Sequence, residues 1–202
     1  MVDASYQPKV YRKQGGNVLV IASGGEILVE SGGVITNSDT IVGLLATAAE
    51  LNRAADVSTR IVTITATGEI TELLHEGKTC LLGEVGGDAL VTLTMPAATG
   101  GGGRYRFVVD VVNTSSYVFK AVSGADLFQG AIIGNDGGGV TTPLRWQAGA
   151  TDDTLTLNGT TQGGVTRGDW VEFEDISTTC WAVRGVVSQS GNEATPFSDT
   201  VA

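Results

Sequence analysis

Over residues 60–188 apolar and polar positions alternate in short runs separated by turn residues. In Leu90-Val91-Thr92-Leu93-Thr94-Met95 every second side chain falls on one face, as a half-buried strand requires. The same reasoning predicts strands at Ile61–Ala66, Thr79–Leu82, Ala89–Met95, Tyr105–Val112, Ser116–Val122, Leu127–Ile133, Leu144–Gln147, Thr154–Leu157, Asp169–Asp175 and Cys180–Ser188. Gly86-Gly87, Gly100 to Gly103, Gly137 to Gly139, Asn158-Gly159 and Gly163-Gly164 punctuate them. About ten short strands so spaced predict an antiparallel β-sandwich or a jelly-roll or barrel-like body. Trp146, Trp170 and Trp181 fall inside these runs and are expected as core pillars.

The first third has another rhythm. A Gly-Gly pair recurs at Gly15, Gly24 and Gly32, enclosing Val18-Leu19-Val20-Ile21 and Ile27-Leu28-Val29. β-Branched runs between glycines read as strands joined by tight turns, because glycine takes positive φ at no steric cost. A repeat of eight or nine residues is too short for a closed solenoid coil, which takes roughly twenty or more. Two or three such strands cannot enclose a core by themselves. Copies from neighbouring chains are expected to cover them, in a symmetric oligomer; the alternative is an ordinary meander folded back on the larger domain. The expected subunit interface is Val18, Val20, Ile27, Val29, Val34 and Leu51. The period then changes: residues 44–55 predict the one good helix. Thr47 and Glu50 form a capping box there, with Ala48, Leu51 and Ala55 on one face. The chain so divides into an arm (1–16), a strand-repeat stalk with one short helix (17–58), a β body (59–188) and a polar C-terminal stretch (189–202). That last stretch reads as a mobile or docking tail.

Composition sharpens this. Apolar residues make up 42% of the 202, enough for a core, and charged residues only 17%. The formal charge is −10, which argues against nucleic-acid phosphates and anionic membrane surfaces as partners. Charge is uneven: Lys9, Arg12 and Lys13 against Asp3 leave residues 1–16 at +2 and the rest at −12. With Tyr6 and Tyr11, these cations make a candidate docking tip for an acidic partner: Tyr6, Lys9, Tyr11, Arg12, Lys13. Met1 to Gln14 lacks the apolar core of a signal peptide, and no apolar run approaches the roughly 18 residues of a spanning helix. A soluble protein made in a cytoplasm is expected. Cys80 and Cys180 lie in apolar strand contexts, where buried thiols are the default; a disulfide between them cannot be deduced from sequence.

The candidate chemistry is sparse. His75 is the single histidine, set between Leu73-Leu74 and Glu76 with no nucleophile elbow, and reads as structural. Zinc needs three or four His or Cys ligands. Asp152, Asp153, Glu172 and Glu174 are the carboxylates from which a glycosidase pair would be drawn, but glutamates on one strand face more often form a solvated face. Asn135-Asp136-Gly137 lacks the later ligands of a calcium loop. Gly100 to Gly103 precedes a strand rather than a helix, so it is no P-loop or dinucleotide cradle. No catalytic residue, metal site or cofactor is expected, and the chain reads as a non-enzyme.

Several phrases resemble tailed-bacteriophage virion proteins. They are Ile27-Leu28-Val29-Glu30-Ser31-Gly32-Gly33 with Ala46-Thr47-Ala48-Ala49-Glu50-Leu51-Asn52, then Leu93 to Gly100, Gly103 to Val109, Leu155 to Thr160, Gly168 to Glu172 and Trp181 to Gly185. The chain looks like the capsid decoration (cement) and head-fibre group. That resemblance implies a homotrimer on the outer capsid surface of the virion, bound to the major capsid protein of the same phage and stabilising the head. Similar phrases occur in tail-fibre modules. The alternative is thus a receptor- or carbohydrate-binding module, for which Trp170 beside Glu172 is the best local candidate.

Overall fold

The structure, a computed structural model, describes residues 10–12, 15, 19–21, 24, 50, 60–87, 89–136 and 143–201. The chain divides into two units, Met1–Leu51 and Asn52–Ala202.

In the first unit, β1 (Val10–Arg12) pairs antiparallel with β2 (Leu19–Ile21), placing Tyr11 opposite Val20. Gly15 and Gly24 have φ of 104° and 74°, left-handed conformations that suit the glycine pairs to turns. Leu19 is 56% exposed and Ile21 39%, with Val20 half-buried between them. Of the helix expected over 44–55, only Glu50 is described, and it is helical.

The second unit is mainly β and sandwich-like. The strands expected from alternation are all present: β3 (Ile61–Ile64), β5 (Thr79–Leu82), β6 (Leu90–Thr94), β7 (Arg104–Val109), β8 (Ser116–Lys120), β9 (Leu127–Asp136), β10 (Leu144–Gln147), β11 (Thr154–Leu157), β12 (Trp170–Ser177) and β13 (Cys180–Gln189). Two pairs of residues add β4 (Gly68–Glu69) and β14 (Phe197–Ser198), too short for alternation to reveal. The four-residue helix α1 (Glu72–His75) was likewise not foreseen. One sheet has the order β10-β9-β13-β12-β7-β5-β3 and the other β14-β11-β8-β6-β4.

The expectation of an antiparallel body is corrected in its pairing. β3, β5 and β7 are parallel neighbours in the first sheet, and β4, β6 and β8 in the second. The chain alternates between sheets: β3 to β4, β5 to β6, β7 to β8. Each strand therefore lies beside the one two places on, which runs the same way. This is solenoid winding, two strands to a coil. Register partners Glu69, Thr94 and Lys120 lie 25 and 26 residues apart in sequence, a length that allows a coil where eight or nine residues do not. After β8 the winding stops. β12 and β13 form an antiparallel hairpin inserted between β7 and β9, and β13 pairs parallel with β9.

Inward residues of both sheets meet in one aromatic core. Phe107 and Phe119 pack at a tilt with ring centroids 4.6 Å apart, Phe119 and Phe173 likewise at 5.3 Å, and Phe128 meets Phe173 edge-on at 5.1 Å. Trp181 is buried and meets Tyr105 edge-on at 5.6 Å. The expectation for the other two tryptophans needs correction. Trp170 alternates onto the outer face with Glu172 and Glu174, and Trp146 packs at the core's border, its Nε1–H donating to Gln189 Oε1 at 2.8 Å. Phe197 of the C-terminal stretch is buried, and β14 pairs with β11.

Candidate functional site

A polar cleft of the body holds about 210 Å³ and is lined by Glu72, Glu76, Thr99, Tyr105, Asp175 and Trp181 among others. Its floor follows from strand alternation: Val171, Phe173 and Asp175 share the inward face of β12, so a carboxylate arrives where apolar residues are the rule. Burial alone would raise the Asp175 carboxyl. Hydrogen bonds from Gly100, Thr99 and Gly101 outweigh it and hold the group below the usual carboxylate range. Thr99 N–H donates at 3.0 Å, Thr99 Oγ1–H at 2.8 Å, Gly100 N–H at 2.7 Å and Gly101 N–H at 3.1 Å. Consecutive backbone donors around one anion form a nest. The glycines make it: Gly100 and Gly102 have φ of 81° and 77°, and a Cβ on Gly100 would lie 3.1 Å from Ser177 Cα. The glycine run is thus an anion cradle already filled by the protein's own carboxylate. Beside it, Trp181 Nε1 is buried with no hydrogen-bond partner among the described residues.

The carboxylates singled out for catalysis are all engaged structurally. On the outer face of β7, β12 and β13, the register sets Glu172 between Arg106 and Arg184. Arg184 Nε–H donates to Glu172 at 3.1 Å and its other arm to Glu174, while Arg104 donates to Glu174 at 2.7 Å. The hydrogen bond from Arg104 holds the Glu174 carboxyl below its usual range. The Arg106 guanidinium lies 4.7 Å from the Trp170 ring centroid, covering a face that a sugar would need. Asp152 accepts from Gly149 N–H at 2.6 Å. Asp153 is fully buried and accepts from Thr200 N–H at 2.9 Å and Val201 N–H at 3.1 Å, tying the C-terminal stretch to β11.

His75 is buried at the end of α1, and its Nδ1 accepts from Thr71 N–H at 2.9 Å; desolvation lowers its pKa. The cysteines are free. Burial pushes the Cys80 thiol up to about 11, which leaves it unreactive at neutral pH. Among the described residues no group of three or more His, Cys, Asp and Glu is placed to hold a metal ion, and no helix is long and apolar enough to cross a membrane.

Sequence reasoning missed the loop clasps. Glu84 accepts from Thr114 N–H at 2.6 Å, Ser115 Oγ–H at 2.8 Å and Gly86 N–H at 2.9 Å, and these bonds, Thr114's first, hold its carboxyl down at about 2. Asp169 accepts from Ser188 N–H at 2.8 Å and Thr166 N–H at 3.1 Å, yet desolvation outweighs these and raises its pKa. For Asp175 the signal was present as an acid on the apolar phase of a strand. For Glu84 none was, because two of its three partners, Thr114 and Ser115, come from a loop about thirty residues on.

Of the expected docking tip, Tyr11 and Arg12 lie on β1, while Tyr6, Lys9 and Lys13 lie outside the described residues. Of the expected interface, Val20 is on β2 and half-buried, while Val18, Ile27, Val29, Val34 and Leu51 lie outside the described residues. No family model, curated protein or solved structure matches the chain.

Proposed function

We propose that this chain is a structural virion protein. It decorates the outside of a phage capsid as an oligomer, a homotrimer in the simplest form, and binds the major capsid protein through its N-terminal region. The observation that carries this reading is the β1–β2 hairpin. Its strand Leu19-Val20-Ile21 leaves two large apolar side chains open to water, in the unit Met1–Leu51. A two-stranded ribbon with an uncovered apolar strand is not stable alone, so sister copies or a shell surface are its natural cover. Arg12 and Lys13, which follow one another in the sequence of this basic region, suit an acidic coat surface. Several such weak contacts, linked in one oligomer, multiply into firm binding. The outer-face arginine–glutamate lattice and the filled anion cradle fit a body made for persistence rather than turnover.

Removing residues 1–43 is expected to abolish binding to undecorated heads and to lower the solution mass by light scattering, as association through the N-terminal regions is lost. The far-ultraviolet circular dichroism of the body stays intact. A truncated chain that still binds heads with full affinity overturns the assignment. Label found only at the tail, by electron microscopy of tagged virions, favours the receptor-binding alternative instead.

A further inference from the structure

Among the described residues, β3 and β4 are each the outermost strand of their sheet. They are also the two halves of one coil, joined by residues 65–67. In a wound array each coil contacts only its neighbours, and an end coil needs a cap. One side of this coil is stacked on β5 and β6; on the other side no strand pairs with it among the described residues. The chemistry of that open side is that of an internal position. β3 reads Ile61-Val62-Thr63-Ile64, with no charge and no proline, and Ile61 is 60% exposed. Edges that face water usually carry such blocking residues. The opposite edge of the same sheet does: Pro143 precedes β10 and Arg145 sits within it. Two hollows of about 260 and 480 Å³ border the coil, with Val62, Ile64, Ile70 and Leu93 in the first and Ile70 again in the second.

We propose that this end is an interface, covered by the same end of a second copy about a two-fold axis parallel to the strands. β3 ascends in one sheet and β4 returns in the other. Rotation about such an axis sets β3 of each copy antiparallel to β4 of its partner and carries both sheets through the contact. The charges match this geometry and no other simple one. Arg60 immediately precedes β3, Glu69 ends β4, and both are exposed, so they lie at the same end of the coil. An axis along the strands preserves that level. Arg60 of each copy therefore meets Glu69 of the other, twice by symmetry, as an isologous contact requires. The apolar side chains of Val62, Ile64 and Ile70 that line the first hollow are shielded from water in the same step, and one flank of Ile61 is covered. This contact is separate from that of residues 18–35 and does not rest on it. Bodies joined in pairs and N-terminal regions joined in threes make a continuous mesh over a curved surface.

The test uses the full chain with Cys180→Ser. Arg60→Cys and Glu69→Cys variants are made separately, mixed and mildly oxidised. A disulfide-linked two-chain product is expected in the mixture and not from either variant alone. Arg60→Glu or Glu69→Arg is each expected to weaken pairing about tenfold in sedimentation equilibrium, and the two together to restore it. Substituting Val20 or Ile27 leaves the linked product unchanged, which separates this contact from the N-terminal one. No mixture-dependent product, or charge reversals without effect on mass, overturns the proposal. So does concentration-independent protection from hydrogen exchange of those β3 amides that point away from β5, which assigns the cover to the chain's own preceding residues.

Discussion

Asp175 ties a sequence feature with no evident role, the run Gly100 to Gly103, to a physical one. A carboxylate on the inward phase of β12 needs donors, and Gly100 and Gly101 let the loop turn their N–H groups, with that of Thr99, toward it. Replacing Asp175 by Ala strands those donors, and about 3 kcal/mol of stability is expected to go, read by urea denaturation at pH 7. The pH dependence follows from the direction of the shift. The folded pKa lies below the unfolded value, so the contribution is complete above the unfolded carboxylate range, near about 4. It is lost as pH falls through the lowered folded value. The difference between wild type and Asp175→Ala therefore shrinks on acidification. Asp169, with its raised pKa, acts in the opposite sense. Its stabilisation is complete below the unfolded value and lost as pH rises through the folded one.

At the scale of elements, the join between the wound half and the closing half rests on β9 against β13. Gly130 of β9 has a φ of 134°, and a Cβ there would lie 2.0 Å from Val183 O. Gly130→Ala combines a forbidden backbone conformation with backbone overlap. It is expected to cost about 3 kcal/mol or more, with early hydrogen exchange along residues 127–136 and 180–189. Strand existence was legible beforehand because alternation is a local property. Leu90 to Met95 reads as a strand whatever lies beside it. Its neighbours were not legible. β6 lies between β4 and β8, each reached through a strand of the other sheet, and nothing in its own pattern distinguishes that from a hairpin partner. Trp170 failed for a related reason: the phase that buries Val171 and Phe173 turns Trp170 outward, under Arg106.

For the molecule as a whole, the two sheets of the body share one set of rings. Phe173 contacts Phe107 and Phe128 in its own sheet and Phe119 in the other. Phe173→Ala is expected to lower stability by about 3–5 kcal/mol. Tryptophan fluorescence and far-ultraviolet circular dichroism should still lose signal in one coincident transition, since neither sheet keeps a core without the other. The amino-acid sequence by itself determined the strand content, the turns, the acidic character and the glycine-punctuated N-terminal region. Each depends on composition or on neighbours a few residues away. Only tertiary structure decided the parallel winding, the filled anion cradle, the arginine–glutamate lattice and the edge at β3 and β4 that no strand pairs among the described residues. Each arises from groups brought together across tens of residues, whose pairing depends on how the chain crosses between sheets.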